Sequence, residues 1–461
     1  MLLQILDLRN MLLCLFLAMV LLMICYVVYT HFLDGLSHIP AIHWSTKWSR
    51  CHLLWTKYSH STKLIYYDAH INGNGKHGSR PLVRVAPSEV SIMTSEGVRV
   101  VWGGDYERSS WYEVFFNYGY VVRQSLLSQT WLIRKLTIRV CNMFSCQSSK
   151  AHRERRRIFA TAYSKTAVSQ PSVQILIKQR MAKLLRYLDQ QTNPEFAKSD
   201  PSSPVVVRHV FRALQADIFT AFVFSATEGT IFLDKLGGGP DTMEELDMRV
   251  IHLGHEDRRD AYFFWESEKP FKHIKYLLNR SGLKAHKKAE AWLKELARKY
   301  ESNLSIEVTT EFADQKLRLM EQSPYRKICL WKDSNTGRGL TFNERASEIL
   351  DHIIAGQDPV PAALEFIVKQ LSIHEDIQSC LHAELLGSMG LLAKGYGSAI
   401  VDNLAYLDCI VMESLRLIDN ISSYQTRIVP PGGCLILGCF LPGGVSNHSV
   451  FWILRTSLCQ R

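Results

Sequence analysis

The strongest constraint on this chain is an uncharged apolar stretch near its N-terminus, residues 11–30. A helix rises about 1.5 Å per residue, so a helix of this length spans the roughly 30 Å hydrocarbon core of a bilayer. The stretch is longer than the apolar region of a secretory signal, and no small-residue cleavage site is evident. A buried core helix is the alternative, which the terminal position and the lack of a polar face disfavour. Residues 1–30 are therefore predicted to be a membrane anchor.

Basic residues follow the anchor, among them Lys47, Arg50 and Lys57. By the positive-inside rule, the rest of a single-pass chain then faces the cytosol. The formal net charge is +10, but no basic stripe is interleaved with aromatic residues, so nucleic acid is not an expected partner. The charge favours an anionic membrane surface or an acidic protein partner.

Residues 31–461 are predicted to form one domain, because no long linker and no internal repeat interrupts them. With 47% hydrophobic and 21% charged residues, a disordered chain is excluded. Residues 81–93 alternate in polarity, which predicts a short strand pair. Helical apolar spacing follows, and the predicted helices are 152–163, 173–188, 207–224, 284–300 and 346–354. The predicted fold class is α-dominated α+β.

Several common site patterns are missing from the sequence. The eleven cysteines show no CxxC and no paired zinc spacing, so they are predicted to be reduced and mostly buried, with no metal site. The chain has no P-loop, no HExxH and no GxSxG, and no GxGxxG follows a strand. Three other segments contain residues that could form a functional site, and each is a weak indication unless it is considered together with the other two.

The first segment is the basic stretch KAHRERRRIFATAYSKTAV, residues 150–168. On a helix, His152 and Arg156 are four residues apart and share a face. A guanidinium there can bind a carboxylate with two parallel hydrogen bonds. The alternative is a solvated basic helix, the more common meaning of such a charge run.

The second segment is a helical stretch, residues 341–371. Thr341 and Glu344 are spaced as a capping box that starts the helix. The helical pattern then continues through Pro359 and Pro361, which cannot donate a backbone hydrogen bond. The sequence therefore predicts either one helix kinked before Pro359 or a helix that breaks there and restarts.

A kink would fall on the sequence AGQD, residues 355–358. The proline at 359 would leave the Ala355 carbonyl without its donor, and Gly356 would allow a close approach. Asp358 supplies one carboxylate. A widened groove with these residues is predicted to seat a small ligand and pass protons.

The third segment is NLAYLDCIVMESLRL, residues 403–417. Glu413 and Arg416 are three residues apart on one helix face, a spacing that usually forms a surface ion pair. Arg427 follows in SSYQTRIVPPGG and is placed to join this pair or to bind an anion.

In this order and spacing the segments resemble a fungal cytochrome P450, a haem-thiolate monooxygenase. The similarity extends from the anchor to about Gly444. ESLR, residues 413–416, resembles the family's ExxR, and AGQD resembles the start of its oxygen-groove motif A-G-x-[DE]-T-[ST]. HRERRR resembles the helix whose arginine contacts a haem propionate. The resemblance assigns that contact to Arg156, with His152 where many members have Trp, and a second propionate contact to Arg427.

The resemblance implies an endoplasmic-reticulum protein whose cytosolic body uses haem, O2 and electrons from an NADPH-cytochrome reductase. It implies hydroxylation or epoxidation of an apolar small molecule, such as a fungal secondary metabolite. The groove residues would be Ala355, Gly356 and Asp358, and Glu413 with Arg416 would be structural.

Two departures from the family lower the expected activity. Pro359 and Val360 stand where the family has hydroxyl side chains in the groove. The loop F-x-x-G-x-R-x-C-x-G, which supplies the axial cysteine, is missing, and Cys434, Cys439 and Cys459 lack its glycine and arginine frame. The chain is therefore expected to be truncated before this loop and inactive, since a thiolate must ligate the iron. A non-catalytic membrane-anchored binding protein and a helical scaffold are the alternatives.

Residues 120–141 lie between two family-like segments that are expected to be closer together. They are predicted to be extra sequence, such as an unspliced insertion. Their apolar spacing equally allows a membrane-facing helix.

Overall fold

A computed structural model gives the structure of most of the chain. The described residues are 2–59, 61–73, 80–115, 117–125, 133–192, 205–225, 228–236, 280–307, 323–333, 336–357, 359–392, 400–418 and 425–449. They form two compact units, one of residues 1–111 with 423–461 and one of residues 112–422. Helices dominate and a small sheet accompanies them, which confirms the predicted fold class.

The helices, in chain order, are α1 (Leu2–Val28), α2 (Cys51–Tyr58), α3 (Thr62–Ile71), α4 (Ser95–Gly103), α5 (Ser149–Ala160), α6 (Lys165–Val168), α7 (Pro171–Thr192), α8 (Val207–Val223), α9 (Phe232–Leu236), α10 (Arg280–Glu307), α11 (Pro324–Leu330), α12 (Phe342–Gln357), α13 (Pro359–Ile373), α14 (Glu375–Leu392) and α15 (Ala405–Leu417). The strands are β1 (Leu82–Ala86), β2 (Glu89–Ile92), β3 (Glu107–Arg108), β4 (Asn117–Ser125), β5 (Ile133–Val140), β6 (Gln425–Ile428), β7 (Cys434–Ile436), β8 (Cys439–Leu441) and β9 (Ser446–Ser449).

The predicted anchor is helical. Helix α1 continues through a short π-helix, Tyr29–Leu33. Within residues 10–33, an 18-residue window has a mean hydropathy of 3.0, and no residue of that window is buried against the rest of the protein. By length and composition, this helix is a candidate membrane span.

The first unit is built on a five-stranded sheet of order β1-β2-β9-β6-β3. Strands β1 and β2 are antiparallel, which confirms the predicted strand pair, and β2 pairs with β9 in parallel. Every residue of β1 and β2 is buried. Leu36 and Ile39, which follow the apolar helix, are buried in one cluster with Leu82 and Val90. The residues that directly follow the candidate span are therefore part of the core of this unit.

Arg84 of β1 has no exposed surface and forms an ion pair with Asp34. Its guanidinium also donates to the backbone carbonyls of Thr30 at 3.4 Å, Lys47 at 3.1 Å and Pro87 at 2.5 Å. A buried charge needs such partners, because desolvation penalises an unpaired one. These contacts hold the end of the apolar helix to the sheet.

The second unit has an apolar core between α5, α8, α10, α11 and α12. Its buried side chains are Ile158, Phe159, Val223, Phe224, Leu293, Ala297, Tyr300, Tyr325, Ile328, Ala346, Ile349, Leu350 and Ile353. Each of the five predicted helices coincides with an observed one, with ends shifted by up to seven residues. The predicted capping box is present, since Thr341 N–H donates to Glu344 at 2.7 Å and Glu344 N–H to Thr341 at 3.3 Å.

The helical alternative for residues 120–141 is wrong. Strands β4 and β5 form an antiparallel pair in which Val121 lies opposite Thr137 and Tyr120 opposite Ile138. These β-branched and aromatic residues favour extended backbone, which outweighs the apolar spacing of a helix. That this stretch is extra sequence remains a prediction.

Candidate functional site

The predicted groove lies where α12 gives way to α13. Helix α12 ends at Gln357, and α13 begins at Pro359. Only one residue separates the two helices, so the choice between a kinked helix and a helix that breaks and restarts remains a prediction. Asp358 lies outside the described residues, so its part in proton transfer remains a prediction.

Helix α8 closes one side of this junction. A Cβ on Gly356 would lie 2.9 Å from three ring carbons of Phe219, so only glycine allows this approach. Gln215 Nε2 donates to the Gly356 carbonyl at 3.0 Å. Ala355 is exposed, so the open side of the junction is at Ala355 and the Gly356 side is packed.

An aromatic cluster, which the sequence did not indicate as a site, lies one turn before the junction. His352 is buried, and its Nδ1 is 2.8 Å from the Tyr163 hydroxyl. Its ring centroid is 4.2 Å from that of Phe159. Burial lowers the pKa of His352 to about 4, so the ring is neutral at pH 7. His352 Nε2 has no hydrogen-bond partner among the described residues.

On the basic helix α5, Arg155 reaches the interior and Arg156 is exposed. Arg155 forms an ion pair with Glu348 of α12, which has no exposed surface. Glu348 also accepts the Met143 N–H at 2.8 Å. Burial raises the pKa of Glu348, and Arg155 acts against this rise. His152 is half-buried. The predicted anion contacts of His152 and Arg156 remain predictions.

Arg427 belongs to the first unit, on β6. Its guanidinium lies over the Trp102 ring, 4.2 Å from the ring centroid, and Nη1 donates to the Thr426 carbonyl at 3.0 Å. The side chain is 7% exposed. The predicted propionate contact of Arg427 remains a prediction.

The predicted pair of Glu413 and Arg416 is present on α15. Arg416 Nε donates to one carboxylate oxygen at 2.6 Å, and Nη2 donates to the other at 2.5 Å. Glu413 is 53% exposed and Arg416 is 24% exposed. The pair is therefore a bidentate ion pair open to solvent, which adds little to stability.

Two of the cysteines considered for an axial haem ligand, Cys434 and Cys439, lie in strands. Cys434 pairs with Leu441, and Cys439 pairs with Ile436, in the β7–β8 hairpin. Both sulfur-bearing residues pack at the rim of an apolar cluster. Cys459 lies outside the described residues. Among the residues that the structure describes, no group of three or more His, Cys, Asp or Glu side chains could hold a metal ion. The strand positions of Cys434 and Cys439 do not fit the glycine-rich loop in which the family presents its axial thiolate.

The chain has clear relatives among proteins of known class. It is 24% identical to the cytochrome P450 monooxygenase avaI of Aspergillus versicolor over 377 residues, 80% of this chain and 74% of that protein. It is 23% identical to the cytochrome P450 monooxygenase poxM of Penicillium oxalicum, over 80% of this chain and 63% of poxM. It therefore covers less than two thirds of poxM.

Solved structures give the same fold. The retinoic acid-bound cyanobacterial CYP120A1 matches with a TM-score of 0.54 and 14% identity, over 82% of this chain and 70% of that one. The family model described as cytochrome P450 matches residues 123–446, more than half of the chain. This chain therefore belongs to the cytochrome P450 family.

Proposed function

We propose that this protein is a membrane-anchored, cytochrome P450 monooxygenase-like protein whose scaffold serves the hydroxylation or epoxidation of an apolar small molecule. The family match supports this proposal, as does the naming of avaI and poxM as monooxygenases. Since both are fungal proteins, a fungal secondary metabolite is the substrate class that we propose.

We further propose that the anchor holds a cytosolic body on the endoplasmic reticulum. An NADPH-cytochrome reductase would supply electrons there, and the net charge of +10 suits an acidic docking partner. The apolar helix within residues 10–33 is the feature that supports membrane attachment.

The positions of Cys434 and Cys439 are the basis of our proposal about catalytic activity. Cys434 and Cys439 are held by the β7–β8 hairpin, so neither is presented in an open loop to an iron atom. Pro359 and Val360 also bring no hydroxyl to the groove. We propose that a polypeptide of these 461 residues forms no haem-thiolate complex and is inactive by itself. The same observation favours a second candidate function, the non-catalytic binding of an apolar small molecule.

The test is the carbon monoxide spectrum of the full chain, expressed in membranes with a haem precursor and then reduced. We expect no long-wavelength Soret band of the kind that a thiolate ligand produces. A thiolate band that disappears in Cys434→Ser, Cys439→Ser or Cys459→Ser would identify the ligand and overturn the proposed inactivity. Binding is measured separately, as the thermal stabilisation of the haem-free protein by apolar ligands.

A further inference from the structure

Two cysteines face each other across the turn that joins β5 to α5. Cys141 directly follows β5, Cys146 lies shortly before the start of α5, and their Sγ atoms are 3.9 Å apart. Hydrogen bonds inside the turn set this distance. Asn142 N–H donates to Ser145 Oγ at 2.8 Å, Ser145 N–H to Asn142 Oδ1 at 2.8 Å, and Cys146 N–H to the Asn142 carbonyl at 3.0 Å.

Helix α12 fixes the turn from outside. Ser347 Oγ donates to the Val140 carbonyl at 3.1 Å, immediately before Cys141. Met143 N–H donates to Glu348 at 2.8 Å, inside the turn. The two sulfur atoms are therefore held near each other by the tertiary structure as well as by the local sequence.

The two thiols differ in exposure and in charge environment. Cys146 is 4% exposed, whereas Cys141 is half-buried. The Cys146 thiol donates to Cys141, and this bond with the charge of Arg155 lowers the pKa of Cys141 to about 6. Burial of the Cys141 thiol and the negative charges of Glu348 and Glu344 act to raise the pKa of Cys141. The same sulfur contact and burial raise the pKa of Cys146.

We propose that Cys141 and Cys146 form a redox-active dithiol that hydrogen peroxide oxidises to an intramolecular disulfide. The Cys141 thiolate attacks one peroxide oxygen, the O–O bond breaks, and a sulfenic acid forms as hydroxide leaves and takes up a proton. The Cys146 sulfur, on losing its proton, attacks the sulfenic sulfur. The S–S bond forms, the S–O bond breaks, and a second water leaves, so that two thiols and one peroxide give one disulfide and two waters.

The geometry permits this reaction with a small movement. A disulfide needs a separation of about 2 Å between the sulfur atoms, so the pair has to close by about 2 Å. Cys141 is the residue that meets the oxidant, because it is the more exposed of the two and the better thiolate. Cys146 is the resolving thiol, since it is buried beside Cys141.

The test is peptide mapping of the full chain after brief treatment with limiting hydrogen peroxide. Trypsin releases residues 140–150 as one peptide that holds both cysteines, so the disulfide appears as the loss of two hydrogen masses. Cys329 is the internal control in the peptide 328–332, because burial raises its pKa to about 12. We expect the 140–150 peptide to oxidise at least tenfold faster than the Cys329 peptide, and this preference to disappear in urea.

Two variants separate the roles of the sulfur atoms. In Cys146→Ser, the oxidation of Cys141 is expected to stop at the sulfenic acid, which dimedone traps. In Cys141→Ser, Cys146 is expected to be no more reactive than Cys329. The proposal is overturned if the folded chain oxidises the 140–150 peptide no faster than the unfolded chain does. It is also overturned if Cys141→Ser leaves the oxidation of Cys146 unchanged.

Discussion

Arg155 and Glu348 form an ion pair between α5 and α12, in which the carboxylate has no exposed surface. The pair shows which arginine of HRERRR turns inward. Because Ile158 and Phe159 are buried in the core of the second unit, the phase of α5 brings Arg155 to α12 and leaves Arg156 in solvent. The buried pair is thus a structural feature of the helix that resembles the family's propionate-binding segment.

Replacing Arg155 should destabilise the protein strongly. Arg155→Ala leaves the Glu348 carboxylate buried without its cation, which costs about 3–5 kcal/mol. Arg156→Ala is the matched control on the same helix, and its effect should stay within about 0.5 kcal/mol because the side chain is exposed. The free energy of unfolding in urea measures both. Equal effects of the two variants would contradict the assignment.

Gly356 should tolerate no side chain. Gly356→Ala places a Cβ 2.9 Å from the Phe219 ring, so the ring must move, at a cost of about 1–3 kcal/mol. Gly387 of α14 is the control, since a Cβ there has open space. Gly387→Ala should stabilise the protein by up to about 1 kcal/mol, because alanine is the better helix former. Thermal unfolding of both variants checks the difference, and a neutral Gly356→Ala would show that Phe219 does not pack there.

Stability should fall as the pH falls from 6.5 to 4. Burial lowers the pKa of His352 from 6.5 to about 4 in the folded protein, so in this window the unfolded chain binds the proton and the folded one does not. The His352 contribution, about 3 kcal/mol, is present above pH 6.5 and lost toward pH 4. Burial also lowers the pKa of His70 to about 4, so His70 likewise makes the protein less stable as the pH falls through this window.

The variant His352→Phe tests this account. Its free energy of unfolding should depend less on pH between 4 and 6.5 than that of the native chain, although His70 preserves part of the dependence. His382→Gln is the control at an exposed position. If the native chain and His352→Phe lose stability in parallel over this window, His352 is not buried as a neutral ring.

Deleting residues 1–30 should release the protein from membranes into the soluble or aggregated fraction, because the apolar stretch is the expected anchor. Fractionation followed by carbonate extraction measures this. Asn279 and Asn303 begin glycosylation sequons and report the side of the membrane. Glycosylation of either one in cells would contradict the cytosolic assignment.

The sequence predicted elements whose patterns are local. The strand pair at 81–93 follows from alternating polarity, and the start of α12 follows from the capping box of Thr341 and Glu344. It did not predict which arginine of α5 turns inward, because that choice depends on the packing of α5 against α12. Nor did it predict the approach of Phe219 to Gly356, because the two residues are far apart in sequence and meet only through helix packing.

The contacts of Arg84 have a mechanical consequence for a membrane-bound protein. Asp34 and the Thr30 carbonyl both bind this buried guanidinium. The end of the apolar helix is therefore fixed to the sheet of the first unit, and no flexible linker separates the two. The tilt of that helix in a bilayer would then set the orientation of the first unit above the lipid. Rotation of the helix about its axis would turn the sheet with it.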